Sequence, residues 1–265
     1  MDAKKYFNKT AKAWVEDAYN SKIYSIGHQR KKIVCKIFSK EPKMKIADLG
    51  CGAGYIALEL AKRHEVVGID QSKKMIEIAE YRKSLASPQV RKQVNFLYKP
   101  LQKAEGKFDA VIAIGVFYYL KKDLVFFKLV KKLLKPNGKL VVSARNRLFN
   151  MVSITERTLK EIKTKNAERL VKEIMQLYKG KVKGLKLEVE IHPKINTKSD
   201  AELRQHTPND LKKIAKRHGF RFLNYYGVHP HLIAPPVFET KGLTEFESSP
   251  VSLAWSSQFI GEFKT

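Results

Sequence analysis

Between Lys45 and Ser143 short apolar runs alternate with longer segments of helical periodicity, and that alternation leaves few folds open. Lys45–Leu49, Glu65–Asp70, Val94–Tyr98, Phe108–Ile114 and Gly138–Ser143 read as strands, being brief and rich in Val, Ile, Leu and Phe. Tyr55–Arg63, Lys73–Leu85 and Lys122–Leu134 recur at helical spacing. Strands separated by helices are joined by right-handed crossovers into a parallel sheet covered on both faces. The expected core is a doubly wound α/β unit.

The flanks divide the chain further. Residues 1–40 are expected to form a helical lead-in, two helices that split near Tyr19-Asn20-Ser21, and residues 41–147 the core. After the fifth strand the rhythm breaks. Residues 148–205 read as an inserted cap, with helical character over Met151–Tyr178 and an alternating strand at Leu185–Ile191. Residues 206–265 return to the sheet: Thr207-Pro208 caps a helix that Gly219 stops, and Phe220–Tyr226 and Ser256–Phe263 are strands. The expected sheet is mostly parallel and seven-stranded.

Charge narrows the partners. The 265 residues carry 52 Lys+Arg against 26 Asp+Glu, a net +26. The basic pairs beginning at Lys4, Lys31, Lys73, Lys121, Lys131 and Lys212 are spread along helices instead of forming one block. A general surface bias and a polyanionic partner are both open. Cys35 and Cys51 make no disulfide framework and have no zinc-ligand spacing, so a reducing, cytoplasmic setting is expected. No signal peptide and no membrane span are expected, since no window approaches the roughly 20 apolar residues a span needs. His229-x-His231 lacks an acidic companion cluster, and no metal site is expected.

The sharpest local pattern is Asp48-Leu49-Gly50-Cys51-Gly52-Ala53-Gly54 between strand and helix, followed by Asp70 at the end of the next strand. Glycines there let the backbone turn tightly and approach a ligand, and the later acid accepts hydrogen bonds from ribose hydroxyls. The third glycine comes one residue too early for a dinucleotide turn. Together with Phe108-Asp109-Ala110-Val111 and Leu134-Lys135-Pro136-Asn137-Gly138-Lys139-Leu140, these residues resemble the class I S-adenosylmethionine-dependent methyltransferases, motif by motif from Lys45 to Ser143. The resemblance implies that family's Rossmann-like fold and S-adenosyl-L-methionine as cofactor. It places Gly50, Cys51, Gly52 and Gly54 under the methionine part and ribose, and Asp48 toward the amino group. Asp70 would take the ribose diol, Gln71 and Met75 would lie near ribose or adenine, and Leu101 and Gln102 would supply backbone groups to adenine. Ile114, Gly115 and Tyr119 would line the passage to the acceptor. The family's usual acid after the third strand is missing, with Lys99-Pro100-Leu101-Gln102 in its place.

The acceptor side is expected outside the carboxyl ends of the strands. Arg145, Asn146 and Arg147 at the fifth-strand exit are the candidate substrate-binding residues, and His206 and His229 the candidate bases. The run from Arg145 to Asn150 is similar to that in methyltransferases of bacterial polysaccharide and deoxysugar pathways. Cys51 is not expected to act as a nucleophile. The N-terminal aromatics Tyr6, Trp14, Tyr19 and Tyr24 are candidates for a lid, and Arg30 for the cofactor carboxylate or, alternatively, an ordinary surface position. The expected function is methyl transfer to an oxygen or nitrogen of a small, anionic molecule such as a sugar, sugar nucleotide or lipid-linked intermediate. The alternatives are an RNA methyltransferase and a cofactor-binding protein without turnover.

Overall fold

In the computed structural model the described residues are 3–15, 26–152, 161, 167–178, 204–230 and 256–265. Helices α1 (Ala3–Val15) and α2 (Ile26–Phe38) precede the core. The core then runs β1 (Lys45–Leu49), α3 (Tyr55–Leu60), β2 (Glu65–Asp70), α4 (Lys73–Ser84), α5 (Pro88–Gln93) and β3 (Val94–Tyr98). It continues with β4 (Phe108–Ala113), α6 (Asp123–Leu133) and β5 (Leu134–Asn146), and short 3-10 turns lie at Leu101–Lys103 and Phe117–Tyr119. Helices α7 (Phe149–Val152) and α8 (Ala167–Tyr178), strand β6 (Gln205–His206), helix α9 (Pro208–Arg217) and strands β7 (Arg221–Pro230) and β8 (Ser256–Lys264) complete it. The expected strand at Leu185–Ile191 lies outside the described residues, as does most of the expected 148–205 cap.

The sheet has eight strands instead of the expected seven. Seven follow the order β3-β2-β1-β4-β5-β8-β7, and the eighth, β6, pairs with the end of β5 through Arg145↔Gln205 and Asn146↔His206. A two-residue strand carries no alternation for a sequence pattern to reveal. The pairs among β1 to β6 are parallel, and β8 runs antiparallel between β5 and β7. Strand β5 begins four residues before the expected Gly138, because Pro136-Asn137-Gly138 lies within the extended segment, with Asn137 at φ 59°.

Two apolar layers explain why the inner strands are nearly continuous runs of Val, Ile, Leu and Ala. On one face Val34, Phe38, Leu60 and Ala79 pack on Ile46, Ile112 and Val141. On the other, Phe126, Phe127, Val130, Leu211 and Ala215 pack on Leu49, Val111 and Val142. Each fully buried phenylalanine contributes about 1.5–3 kcal/mol. The helices end as their sequences dictate. Ser72 and Ser87 cap α4 and α5, and Thr207 with Asp210 forms a reciprocal capping box on α9. Basic residues occupy the last turns of α2, α4, α5, α6 and α9, where they complement helix carboxyl ends and account for part of the positive charge. Among the described residues no helix is long and apolar enough to cross a membrane.

Candidate functional site

The turns after β1, β2, β3, β4 and β5 all open on one edge of the sheet. The turn after β1 holds three left-handed glycines, with φ of 72° at Gly50, 52° at Gly52 and 77° at Gly54. They are not equivalent. A Cβ on Gly50 would stand 2.1 Å from Val116 Cγ2, and one on Gly54 would stand 2.7 Å from Phe96 Cζ, so these two are small for packing as well as for conformation. A Cβ on Gly52 would meet nothing within 4 Å. Gly52 therefore bares its backbone to open space, as a ligand cradle must.

Asp70 stands beside that opening. Its Oδ2 accepts from Gly52 N at 2.9 Å and its Oδ1 from Ser72 N at 2.8 Å, which fixes the carboxylate and leaves each oxygen a further lone pair. Burial raises its pKa, opposed by those amide hydrogen bonds. Asp48 is 2% exposed, and burial together with the Asp70 charge pushes it up to about 8. Burial and the same two acids also push the Cys51 thiol well up, so it is held as a thiol and its place is structural.

Helix α1 closes over this edge. Asn8 Oδ1 accepts from Ser72 Oγ at 2.8 Å, Ala11 packs with Ala53 and Met75, and the Phe7 ring meets Tyr119 edge-on at 5.6 Å. Met75 is thus buried beneath α1, and Gln71 is half-buried next to Asp70. After β3, Leu101 is buried in the core with its carbonyl bonded by Ala104 N at 2.9 Å, while Gln102 is exposed. Tyr6 is half-buried; Tyr19, Tyr24 and the side chain of Trp14 lie outside the described residues.

At the β4 exit Ile114 is buried, Gly115 is left-handed at φ 82°, and its N–H donates to Ser143 Oγ at 2.7 Å. Tyr119 is half-buried, its phenol pushed up by burial. Arg30 is 5% exposed on α2, so the surface alternative is overturned: it occupies the buried row with Gly27, Val34 and Phe38 and reaches Tyr118 and Gln258.

The β5 exit divides the three candidate acceptor residues. Asn146 is fully buried, donates to Ser256 O at 2.9 Å and accepts from Leu148 N at 3.1 Å. Arg147 makes a bidentate pair with Glu161, both bonds 2.7 Å, which holds Glu161 below the usual carboxylate range. These two side chains tie the exit to its surroundings instead of opening to a ligand, because neighbouring polar groups have claimed their hydrogen bonds. Arg145 lies over the Tyr118 ring at 5.4 Å. His206 is 6% exposed against Phe117, with Nε2 3.4–3.5 Å from the Asp123 carboxylate and Nδ1 buried without a partner. Although burial pulls Asp123 up, hydrogen bonds from His206 and Arg204 hold it at about 2. The His229 backbone belongs to β7, and its side chain lies outside the described residues.

Residues 40–219 match the family described as "Methyltransferase domain". The chain belongs to this family. As a methyltransferase-domain protein it is 31% identical over 133 residues to the mitochondrial ubiquinone biosynthesis O-methyltransferase of Arabidopsis thaliana, covering 46% of this chain and 41% of that protein. It is 38% identical over 104 residues to a putative methyltransferase, YqeM, of Bacillus subtilis, covering 36% and 40%. The chain spans about half the length of the curated relatives it matches. In fold it is similar to magnesium protoporphyrin IX methyltransferase from Synechocystis PCC 6803, solved with bound SAH, at TM-score 0.59 and 17% identity over 98% of this chain and 96% of that one.

The same edge also gathers side chains that the sequence alone does not single out. Asn8, Tyr118, Asp123, Ser143 and Gln258 all reach the carboxyl edge. Arg30 had a signal: a charged residue four before Val34 and eight before Phe38 in an apolar helical row. The others are ordinary polar residues whose convergence is a tertiary fact.

Proposed function

We propose that the protein transfers a methyl group from S-adenosylmethionine to an oxygen of a small-molecule acceptor. One observation carries the reading: an open, left-handed Gly52 bonded to the fixed carboxylate of Asp70, at the carboxyl edge of a domain in the methyltransferase family. The donor set fits a nucleoside with a cationic amino-acid tail, since Asp70 offers lone pairs to a ribose diol, Gly52 offers bare backbone, and Asp48 offers a buried acid to an ammonium. When bound, the cofactor supplies a methyl on a sulfonium, already activated for in-line attack. The chain's own task is orientation and exclusion of water, which α1 serves by lying across the edge.

His206 is the general base in this reading. Asp123 orients Nε2, and Nδ1 is left without a protein partner, the nitrogen a base needs free. Oxygen is preferred to nitrogen because the Arabidopsis thaliana relative is an O-methyltransferase. The finer choice of a sugar, sugar nucleotide or lipid-linked acceptor rests on the Arg145–Asn150 run.

Calorimetric titration with S-adenosylhomocysteine tests the donor half: saturable binding is expected, and its absence defeats the proposal. Labelled-methyl transfer against phenolic, nucleotide-sugar and RNA pools tests the acceptor half, and label confined to RNA would reverse the choice. His206→Gln is expected to lower kcat by about 10²–10⁴-fold with S-adenosylhomocysteine affinity unchanged.

A further inference from the structure

The carboxyl ends of α6 and α9 come together at the amino-terminal edge of the sheet, because α6 leads into the start of β5 and α9 into the start of β7. That edge is opposite the glycine turn, and the six residues of β4 alone set the two about 17 Å apart. Between the helix ends lies an open recess of about 480 Å³. Four exposed cations rim it, Lys128 and Lys131 from α6 and Lys216 and Arg217 from α9. Its apolar side is the Phe127 ring with His218 stacked on it at 5.2 Å. Lys131 Nζ lies 3.1 Å from where a Cβ on Gly219 would stand, so the missing side chain leaves room for that ammonium.

The ordinary uses of such cations are already filled by other groups. The α6 carboxyl end is served by Lys107, whose Nζ donates to Lys132 O at 2.9 Å and to Leu134 O at 3.4 Å. At the end of α9 the backbone serves itself: His218 N and Phe220 N donate to Ala215 O and Gly219 N to Lys216 O, each at 3.0 Å. Even uncapped, two helix ends at roughly half a charge each would offset about one positive charge of the four, leaving a surplus of about three. Carboxylates do not supply the balance. The acids of the two helices, Asp123 and Asp210, sit in the first turns, at the opposite ends, and are taken by Arg204 and Arg169. Among the described residues no carboxylate makes an ion pair with any of the four cations. On the other face of the sheet lysines are matched within a turn, Lys62 with Glu59, Lys74 with Glu77 and Lys83 with Glu80. The net +26 is therefore unevenly answered, and the recess gathers charge that the fold itself does not use.

We propose that this recess binds linked phosphate groups, carried by a polyphosphate chain or by a nucleic-acid backbone. A single carboxylate would leave most of the surplus unanswered. Adjoining phosphates bring two or more negative charges into a small volume and accept hydrogen bonds from lysine ammoniums, which act as point charges without a fixed fork geometry. The site stands apart from the donor edge and does not rest on the methyl-transfer reading.

The test titrates inorganic tripolyphosphate and a short RNA duplex onto the full chain at salt between about 50 and 200 mM. The double variant Lys131→Gln, Lys216→Gln removes two charges at the recess, and Lys62→Gln, Lys74→Gln removes two from the opposite face. All four side chains are exposed, so both variants are expected to keep the wild-type unfolding midpoint. At least one probe is expected to bind wild type saturably, tenfold or more weaker in the recess variant and within threefold in the opposite-face variant. The probe that binds more tightly through the recess names the source, tripolyphosphate for a small polyphosphate and the duplex for a nucleic-acid backbone. Failure of both probes on wild-type protein overturns the proposal. Equal losses in the two variants overturn it too, since they would leave only diffuse attraction by net charge.

Discussion

The turns after β1 and β2 and the exit of β5 lie on one edge of one sheet, yet they are built on opposite rules. The first pair fixes a carboxylate with backbone amides and leaves bare backbone exposed. The second spends Arg147, Asn150 and Glu161 on one another and Asn146 on the Ser256 carbonyl, with Asn150 Nδ2 donating to Gln205 Oε1 at 2.8 Å and to Glu161 Oε1 at 3.2 Å. A backbone cradle needs no side chain to be kept free, so it is compatible with a tight core beneath it. A side-chain cluster whose members hold one another has little left to offer a ligand, and that is the case for Arg147, Asn150 and Glu161.

Breaking the β5 cluster should produce the largest effect, on stability and not on the donor. Arg147→Ala leaves Glu161 buried without its cation and is expected to cost about 3 kcal/mol in denaturant unfolding, with S-adenosylhomocysteine affinity unchanged. Asp70→Ala should do the reverse, weakening S-adenosylhomocysteine binding by about 1–3 kcal/mol in calorimetry. A variant that binds as well as wild type would remove Asp70 from the site. Gly52→Ala tests the cradle: strain at a left-handed φ should cost about 1–2 kcal/mol of stability, and the added methyl enters the open space, so donor affinity falls too. Equal loss of stability without loss of affinity would show the space to be unused.

The last effect is a slope. Asp48 is raised from 3.8 to about 8, so between those values the folded chain holds a proton that the unfolded chain has released. Stability therefore falls as pH rises from about 4 to about 8, and Asp48→Asn should flatten that slope in unfolding curves taken at pH 5 and pH 8. A variant with the wild-type slope would place the titration elsewhere.

Why the two regions differed in legibility follows from the same rules. The β1 turn is local in what sets its conformation: its three glycines are needed by φ, so strand, turn, helix and Asp70 can all be read along the chain, while the close approaches of Val116 and Phe96 cannot. The capping of α9 by Thr207 is legible for the same reason. At the β5 exit the partners come from residues 11 to 110 positions away, Glu161 for Arg147 and Asn150, Ser256 for Asn146, and a basic, polar stretch looks the same whether it faces solvent or itself. Strand β6 escaped notice because it pairs only two residues, and the burial of Arg30 because its helical row places a charge where a pattern predicts an aliphatic side chain.

The contact between Asn8 and Ser72 links the first helix to the donor cleft. Ser72 caps α4 through Met75 N, and its own N–H holds Asp70, so the hydroxyl that Asn8 grips belongs to the residue that steadies the Asp70 carboxylate. Occupancy of the cleft should then be transmitted to residues 3–15 as slower amide deuterium exchange, and Asn8→Ala should uncouple the two, turning the amino-terminal segment into a reporter of what the distant backbone cradle holds.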